Sequence, residues 1–298
     1  VFGYNAYSLL KYGTDQFGTP FPVALRAFGD YRPALYSYLT VPFIALLGLT
    51  ETATRLPSIL AGTLTVLVAY FLTQAITKKD TLALFAALIL AFSPAHILIS
   101  RYADMSPLST LFLALGVWLF IRYQFYLSSL SFVLAAYSYH SARFTGPLLL
   151  IALTILYLKS IKLRLPQVLF SGFFGLLLLS PLLIFFIRSP QLTLRRGLYE
   201  SFLSQKSYLP RLTTAVSTDP SGQSPLITRF FHNKPKVIFQ EFTERYLSHF
   251  SPNFLFLKGD PHERFQTPGS GVYNLSLALL LPLGFVVALR QRHWRILP

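Results

Sequence analysis

Long apolar runs without charge alternate with short polar segments along this chain. A helix needs roughly 17–25 apolar residues to cross the hydrocarbon core of a bilayer. Five runs meet that length, and each predicts a membrane-spanning helix: Leu56–Thr77, Thr81–Ser100, Met105–Ile121, Leu165–Ile187 and Phe265–Leu289.

Three further apolar stretches are less regular. Tyr123–Ala142 and Phe144–Leu158 are interrupted by Arg143, and we interpret them as a helical pair. Pro33–Thr50 is uncharged but contains Pro33, Pro42 and several tyrosines. This stretch fits either a spanning helix or a helix lying in the membrane interface.

Basic residues between the runs set the predicted orientation, because short cytoplasmic loops are enriched in Lys and Arg. Alternate ends of the runs carry Lys78, Lys79, Arg122, Lys159, Lys162, Arg164, Arg290, Arg292 and Arg295, and the opposite ends carry only Arg101 and Arg143. Leu56–Thr77 therefore runs from outside to inside. With this orientation Asp80 alone among the 11 acidic residues is cytoplasmic, and Pro33–Thr50 is best interpreted as a helix along the outer face.

These patterns predict an all-α polytopic membrane protein with about six or seven spanning helices. We expect a first outer loop with interfacial helices at 1–53, spanning helices at 54–188, an outer loop or cap at 189–268, and a spanning helix with a cytoplasmic end at 269–298. Lys234–Phe250 has the pattern of an amphipathic helix within the cap. Because the chain opens at Val1 and stops just after a basic stretch, we expect a first spanning helix and a C-terminal part to be missing.

Composition narrows the class of protein. Only 12% of residues are charged, against roughly 25% in soluble domains. The formal charge of +15 fits a nucleic-acid binder, but cytoplasmic loops already account for much of it, so we expect no nucleic-acid partner. The lack of Cys excludes thiol catalysis, disulfides and Cys metal sites, and it fits a prokaryotic plasma membrane. No His, Asp and Glu set has metal-ligand spacing, so neither a metal nor a cofactor is predicted.

Candidate chemistry gathers at the predicted outer ends of the helices. Four separate segments bring arginines there, together with an acid and a histidine: Arg32, Arg55, Arg101, Arg143, Asp104 and His140. Arginine clusters bind phosphate through forked, charge-assisted hydrogen bonds, and a phosphate at this depth belongs to a lipid. Three simpler interpretations stay open: Arg55 as an interface anchor, Arg101 paired with Asp104 across a turn, and His140 as a packing residue.

Several segments, in this order, are similar to one known family. They are Gly3-Tyr4-Asn5-Ala6-Tyr7-Ser8-Leu9-Leu10, Gly13-Thr14-Asp15-Gln16-Phe17-Gly18, Arg32-Pro33-Ala34-Leu35-Tyr36-Ser37-Tyr38-Leu39, Arg55-Leu56-Pro57-Ser58, Ser100-Arg101, Tyr139-His140-Ser141-Ala142-Arg143 and Leu255-Phe256-Leu257-Lys258-Gly259-Asp260-Pro261. Nearly the whole chain resembles the dolichyl-phosphate-mannose protein mannosyltransferases and the related lipid A aminoarabinose transferases. These are multispanning enzymes of the GT-C class (glycosyltransferase family 39-like).

The resemblance implies an inverting glycosyltransferase that moves a hexose or pentose from a polyprenyl phosphate to an acceptor hydroxyl outside the membrane. The acceptor is a protein, a lipid or a glycan. The family's general base is an acid of an Asp-Glu pair that would precede Val1, so we expect this chain to be inactive alone. Asp104 matches a second acid of the family. Arg32 matches the basic residue before Pro in its Pro-Pro-Leu-Tyr-like motif, which includes Tyr36, although Ala34 replaces the second Pro.

The resemblance therefore implies Asp104 as a catalytic acid and a donor-binding set of Arg32, Tyr36, Arg55, Arg101, His140 and Arg143. Two other classes of function remain open. A transporter or lipid flippase would need ionisable residues near the midplane or broken helices there. A non-catalytic envelope assembly protein would use the outer cap as its working part.

Overall fold

The computed structural model describes residues 1–27, 30–189, 205–217, 233–262, 265 and 267–290. Within these ranges the chain is mainly α-helical, with one two-stranded hairpin and one turn of π-helix at Asn253–Leu257. The predicted class, an all-α polytopic membrane protein, is confirmed. The domain boundaries remain predictions.

The N-terminal part folds into a small unit of two helices and a hairpin. Helix α1 (Phe2–Tyr12) ends at Gly13, whose φ of 69° suits a residue without a Cβ. Strands β1 (Ala24–Ala27) and β2 (Asp30–Pro33) pair antiparallel, with Leu25 opposite Arg32. Helix α2 (Leu35–Leu47) packs against α1, and the Ser37 hydroxyl donates to the Phe2 carbonyl across the two helices at 3.2 Å.

Among the residues that the structure describes, two helices are long and apolar enough to cross a membrane. They are α3 (Glu51–Thr77) and α10 (Leu165–Arg188), which contain the predicted runs Leu56–Thr77 and Leu165–Ile187. Thr50 caps the first turn of α3 by accepting a hydrogen bond from the Ala53 N–H. Helix α3 packs against α4 and α6 in the middle of the described bundle.

The sequence predicted one continuous helix over Thr81–Ser100, and this prediction is wrong. The run divides into α4 (Asp80–Ala91) and α5 (Pro94–Arg101), which are bent by 58° relative to each other. Pro94 explains the break, because proline has no N–H to continue the ladder and holds the residue before it away from helical geometry. Ser93 is accordingly extended and caps α5. Together α4 and α5 are long enough for one broken span.

The centre of the chain forms three shorter helices, and the second of them packs against both of the others. They are α6 (Ser106–Ile121), α7 (Phe125–Ser138) and α8 (Ala142–Leu156). The predicted helical pair is present as α7 and α8, but Arg143 does not separate them. The turn lies at residues 139–141, and Arg143 belongs to the first turn of α8.

The remaining described elements are short. Helix α9 (Leu158–Leu163) leads into α10, and α11 (Gln205–Ser217) pairs with α12 (Lys234–Ser248). Helix α12 confirms the helix predicted at Lys234–Phe250. Arg211 joins the two helices through ion pairs to Glu241 and Glu244 at 2.9 and 2.6 Å.

The last predicted spanning run, Phe265–Leu289, is helical only in its second half, as α13 (Leu277–Arg290). The residues before it bond to another segment. The N–H groups of Val272 and Tyr273 donate to Phe254 and Leu255 at 3.3 and 2.8 Å. A backbone committed to these partners cannot continue a helix.

Candidate active site

A hydrogen-bonded junction joins α2, α3 and the start of α6. Tyr36 is fully buried in the first turn of α2, where its hydroxyl donates to the Thr54 carbonyl at 2.8 Å and lies 2.9 Å from Ser58 Oγ. The Ser58 hydroxyl also donates to the Asp104 carbonyl at 2.8 Å and accepts from the Asp104 N–H at 3.1 Å. Ser58 thus fixes the Asp104 backbone beside Tyr36.

The Asp104 side chain organises the entry to α6. Its Oδ1 accepts from the N–H and the hydroxyl of Ser106, at 2.8 and 2.6 Å. The Asp104 carboxylate is half-buried and makes no ion pair with Arg101, which is exposed at the end of α5. The simple interpretation of an Arg101–Asp104 pair is therefore wrong, and Arg101 makes no hydrogen bond to Tyr36, Ser58 or Asp104.

Burial decides the protonation state of Tyr36. Desolvation raises the pKa of this phenol to about 12, and the charge of Asp104 adds to the rise while that of Arg55 opposes it. Tyr36 consequently remains a neutral hydroxyl at any physiological pH. It can donate or accept a hydrogen bond, but it cannot serve as a phenolate base.

Arg32 lies in β2 beside the same junction. Its guanidinium carbon is 5.8 Å from the centre of the Phe2 ring, and Phe2 in turn packs on Tyr36 with ring centres 4.8 Å apart. The Nε atom of Arg32 is buried and makes no hydrogen bond to any described residue. No carboxylate among those residues pairs with Arg32, so its positive charge is available to an anion.

Arg55 faces a different opening, next to α1. It forms an ion pair with Glu51, one turn earlier on α3, and both side chains are exposed. An exposed pair of this kind contributes little to stability. Arg55 also lines a cavity of about 480 Å³, together with residues of α1 and Tyr102. Its charge is already partly matched, unlike that of Arg32.

His140 and Arg143 form a second group at the turn between α7 and α8. Arg143 Nη1 lies 2.8 Å from His140 Nδ1, and Arg143 Nε donates to the Ala136 carbonyl at 3.1 Å. Because a guanidinium only donates, Nδ1 must accept, and the ring carries its proton on Nε2. The guanidinium also lies 4.8 Å from the centre of the Phe186 ring of α10.

Arg143 is held by neutral groups at the rim of a large apolar cavity. The cavity measures about 570 Å³ and lies between α7, α8 and α10. Its apolar wall reaches from Phe186, beside Arg143, to Phe125 at the far end of α7. Phe125 and Ala136 both line it, and the helical rise between them is about 16 Å. The arrangement offers a long apolar slot with a cation at one end.

Strand β2 connects the two groups of residues. Tyr31, next to Arg32, packs against Phe185 of α10 at 5.7 Å, and Phe185 is the neighbour of the Phe186 that lies beneath Arg143. Tyr139 packs from the other side against the cluster of Phe2, Tyr36 and Met105. The structure therefore brings five predicted residues to one end of the bundle: Arg32, Tyr36, Asp104, His140 and Arg143.

Sequence reasoning gave no role to the residues that hold this end together. Ser58 belongs to the motif Arg55-Leu56-Pro57-Ser58. A hydroxyl next to a proline in an apolar helix was the feature of the sequence that could have identified it as a hydrogen-bonding residue. Phe2 and Phe186, which support the two arginines, are two among 28 phenylalanines and had no signal of their own. Within the described ranges, no three His, Asp or Glu residues are grouped as metal ligands.

Comparison with known proteins gives one result at the level of family. No curated protein and no solved structure matches the chain. The sequence profile of the family described as dolichyl-phosphate-mannose-protein mannosyltransferase matches residues 5–194, which is more than half of the chain and includes every predicted site residue. Members of this family are membrane glycosyltransferases that use polyprenyl-phosphate sugars as donors. The chain therefore belongs to the dolichyl-phosphate-mannose-protein mannosyltransferase family.

Proposed function

We propose that this protein transfers a sugar from a polyprenyl phosphate to an acceptor hydroxyl on the outer face of the membrane, with inversion at the anomeric carbon. The observation that carries the proposal is Arg143, a cation without a carboxylate partner among the described residues, at the rim of an apolar cavity. An apolar chain that ends in a phosphate has the matching chemistry.

The cavity between α7, α8 and α10 would hold the first part of the prenyl chain. Its volume, about 570 Å³, is within the range of roughly 300–1,000 Å³ that is usual for ligand pockets. Gly146 and Gly175 line it from α8 and α10. A Cβ at Gly175 would collide with Ser129 Oγ, so this glycine lets α10 pack closely on α7 at the cavity wall. The polar groups in the same wall, such as Ser129, already donate to backbone carbonyls and leave the surface apolar.

Arg143 and Arg32 would bind the phosphate. In the proposed reaction the acceptor oxygen forms a bond to the anomeric carbon while the bond from that carbon to the phosphate oxygen breaks. The electron pair leaves with the polyprenyl phosphate, whose charge changes from one negative to two. Arginines already in place stabilise this developing charge more than they stabilise the bound donor, and this difference lowers the barrier.

The acceptor proton would pass to a carboxylate base of the Asp-Glu pair that the family resemblance implies. Asp104 would act as the second acid and orient the acceptor, because Ser58 and Ser106 already hold its backbone and its Oδ1. Tyr36 would contribute a neutral hydroxyl.

A binding experiment tests the donor site directly. The chain is reconstituted in detergent micelles, and the affinities of a polyprenyl phosphate and of the corresponding polyprenol are compared. A charged hydrogen bond is worth about 1.5–3 kcal/mol, so Arg143→Gln should weaken polyprenyl-phosphate binding roughly ten- to hundredfold and leave polyprenol binding unchanged. Equal losses for both lipids, or none, would refute the proposed phosphate contact.

Arg164 supplies a matched control. Its guanidinium lies 4.5 Å from the centre of the Tyr123 ring, much as Arg143 lies over Phe186, but it precedes α10 at the opposite end from Arg143. Arg164→Gln removes the same charge and a similar ring contact. It should leave binding of both lipids unchanged.

The broken span α4–α5 is a feature that a transporter would also have. Two variants separate an enzyme from a transporter or an assembly protein: Asp104→Asn and Arg32→Gln, each made in the full-length protein that includes the Asp-Glu pair implied by the resemblance. If the protein is a glycosyltransferase, both reduce sugar transfer while membrane insertion stays normal. Unchanged transfer in both variants would exclude the proposed reaction at this site.

A further inference from the structure

A second polar cavity lies at the end of the bundle opposite to Arg143. It measures about 470 Å³. The last two turns of α3, the end of α6 and the first residue of α4 form its wall, which consists of Phe71, Gln74, Ala75, Lys78, Asp80, Trp118 and Arg122. None of these residues belongs to the candidate active site.

The charges in this cavity are arranged to leave two cations available. Asp80 Oδ1 accepts hydrogen bonds from Gln74 Nε2 at 2.6 Å and from the Tyr70 hydroxyl at 3.3 Å. Lys78 and Arg122 form no ion pair with any described residue, and this includes Asp80. The cavity therefore has a net charge of +1, with the single carboxylate occupied by neutral donors.

The cavity also lies at a definite depth. Helix α3 carries no charge after Arg55 and α6 carries none at all, and Lys78 and Arg122 follow directly after the two helices. Trp118 packs on Phe71 there, with ring centres 5.7 Å apart. Tryptophan is enriched at the level of lipid headgroups, and basic pockets between spanning helices bind anionic headgroups on the cytoplasmic side.

We propose that this cavity binds the phosphate of an anionic phospholipid in the inner leaflet. Lys78 and Arg122 would donate to the phosphate oxygens, and Trp118 and Phe71 would pack against the glycerol and the first methylenes. Free inorganic phosphate shares the anionic chemistry but does not need the aromatic wall. This site is separate from the proposed donor site, so each stands or falls independently.

The fluorescence of Trp118 reports on the site, because Trp118 lines the cavity. The sequence has one other tryptophan, Trp294, which is replaced so that its emission does not interfere. A chain with Trp294→Phe is reconstituted with mixtures of phosphatidylcholine and phosphatidylglycerol, one of them brominated on its acyl chains. Quenching of Trp118 then gives the relative affinity of the two lipids. Two cations offset by one carboxylate should favour phosphatidylglycerol by about fivefold.

Substitution of the two cations should remove this preference. In the double variant Lys78→Gln, Arg122→Gln only Asp80 remains charged in the cavity, so the relative affinity is expected to fall below one. The matched control is Lys159→Gln, Lys162→Gln, which removes the same charge from helix α9 and should retain the fivefold preference. Each single variant leaves a net charge of zero in the cavity and should bring the preference to about one, so the proposal remains testable if the double variant fails to fold.

Three results would overturn the proposal. One is equal quenching by both lipids in the starting protein. Another is a preference that survives in the Lys78 and Arg122 variants. The third is a change in Trp118 fluorescence with inorganic phosphate in lipid-free micelles that phosphatidylglycerol does not reverse, which would assign the cavity to a soluble anion.

Discussion

Ser58 is the residue on which the geometry around Asp104 depends, and its removal makes a quantitative prediction. The hydroxyl makes three short contacts: to Tyr36 at 2.9 Å, to the Asp104 carbonyl at 2.8 Å and to the Asp104 N–H at 3.1 Å. In Ser58→Ala the Asp104 N–H and carbonyl lose this partner, while Tyr36 keeps its hydrogen bond to Thr54.

The expected loss in the free energy of unfolding depends on which polar groups are left without a hydrogen-bond partner. A buried polar group without a partner costs about 1–3 kcal/mol, and Asp104 is half-buried, so Ser58→Ala should lower the free energy of unfolding by about 2 kcal/mol. Tyr36→Phe removes the other half of the contact and should cost about 1 kcal/mol. Because the two residues share one contact, the double variant should be less destabilised than the sum, by about 0.5–1 kcal/mol.

The assay is reversible unfolding in mixed micelles, followed by far-ultraviolet circular dichroism. Ser138→Ala is the matched control. Ser138 is equally buried in a helix, but its hydroxyl donates only to the Leu134 carbonyl one turn earlier, at 2.7 Å. Its removal should change stability by less than about 0.5 kcal/mol. Additive effects of Ser58→Ala and Tyr36→Phe, or equal effects at Ser58 and Ser138, would refute the reasoning.

Two further predictions concern the packing and the titration of the same end. A Cβ at Gly62 would lie 2.6 Å from Ser100 Cβ, so Gly62→Ala should cost about 1–3 kcal/mol, and adding Ser100→Gly should restore most of the thermal midpoint. If the second change rescues nothing, α3 and α5 do not meet there. Burial raises the folded-state pKa of Tyr36 to about 12, above its unfolded value near 10. Its contribution to stability is therefore complete below pH 10 and lost as the pH rises towards 12. The measurement is the difference in phenolate absorbance between the parent and Tyr36→Phe as the pH rises. A difference that appears only near pH 12 would support the raised pKa, and one that appears near pH 10 would contradict it.

The apolar pattern alone predicted the helical class and the two longest spans, because run length relates directly to bilayer thickness. It did not predict the break between α4 and α5. Pro94 was visible in the sequence, but a proline can also lie within a continuous, kinked helix. The sequence therefore did not show whether the chain would break there. The start of α13 was misplaced for a related reason. Residues 267–276 are uncharged, but the positive φ of Gly269 and the hydrogen bonds of Val272 and Tyr273 to residues 254–255 are incompatible with a helix there.

The site was partly predictable for a different reason. Charged residues are rare in this chain, so the ends of the runs pointed to Arg32, Asp104 and Arg143 without any coordinates. What each charge contacts was not predictable. Arg55 forms an ion pair with Glu51 and Arg101 is exposed, whereas Arg32 and Arg143 rest on aromatic rings. Such differences depend on packing between segments that are distant along the chain.

The break between α4 and α5 has a consequence for the order in which the protein folds. Asn274 donates to the Phe92 carbonyl at 2.9 Å, and the Ser93 hydroxyl donates to the Val272 carbonyl at 3.0 Å. The two sides of this contact are separated by 182 and 179 residues. When α4 and α5 leave the ribosome, the residues that complete their bend do not yet exist. The bend therefore reaches its final hydrogen bonding only after the chain has been synthesised through residue 274, and an error in the folding of the intervening segments would leave the junction without these hydrogen bonds.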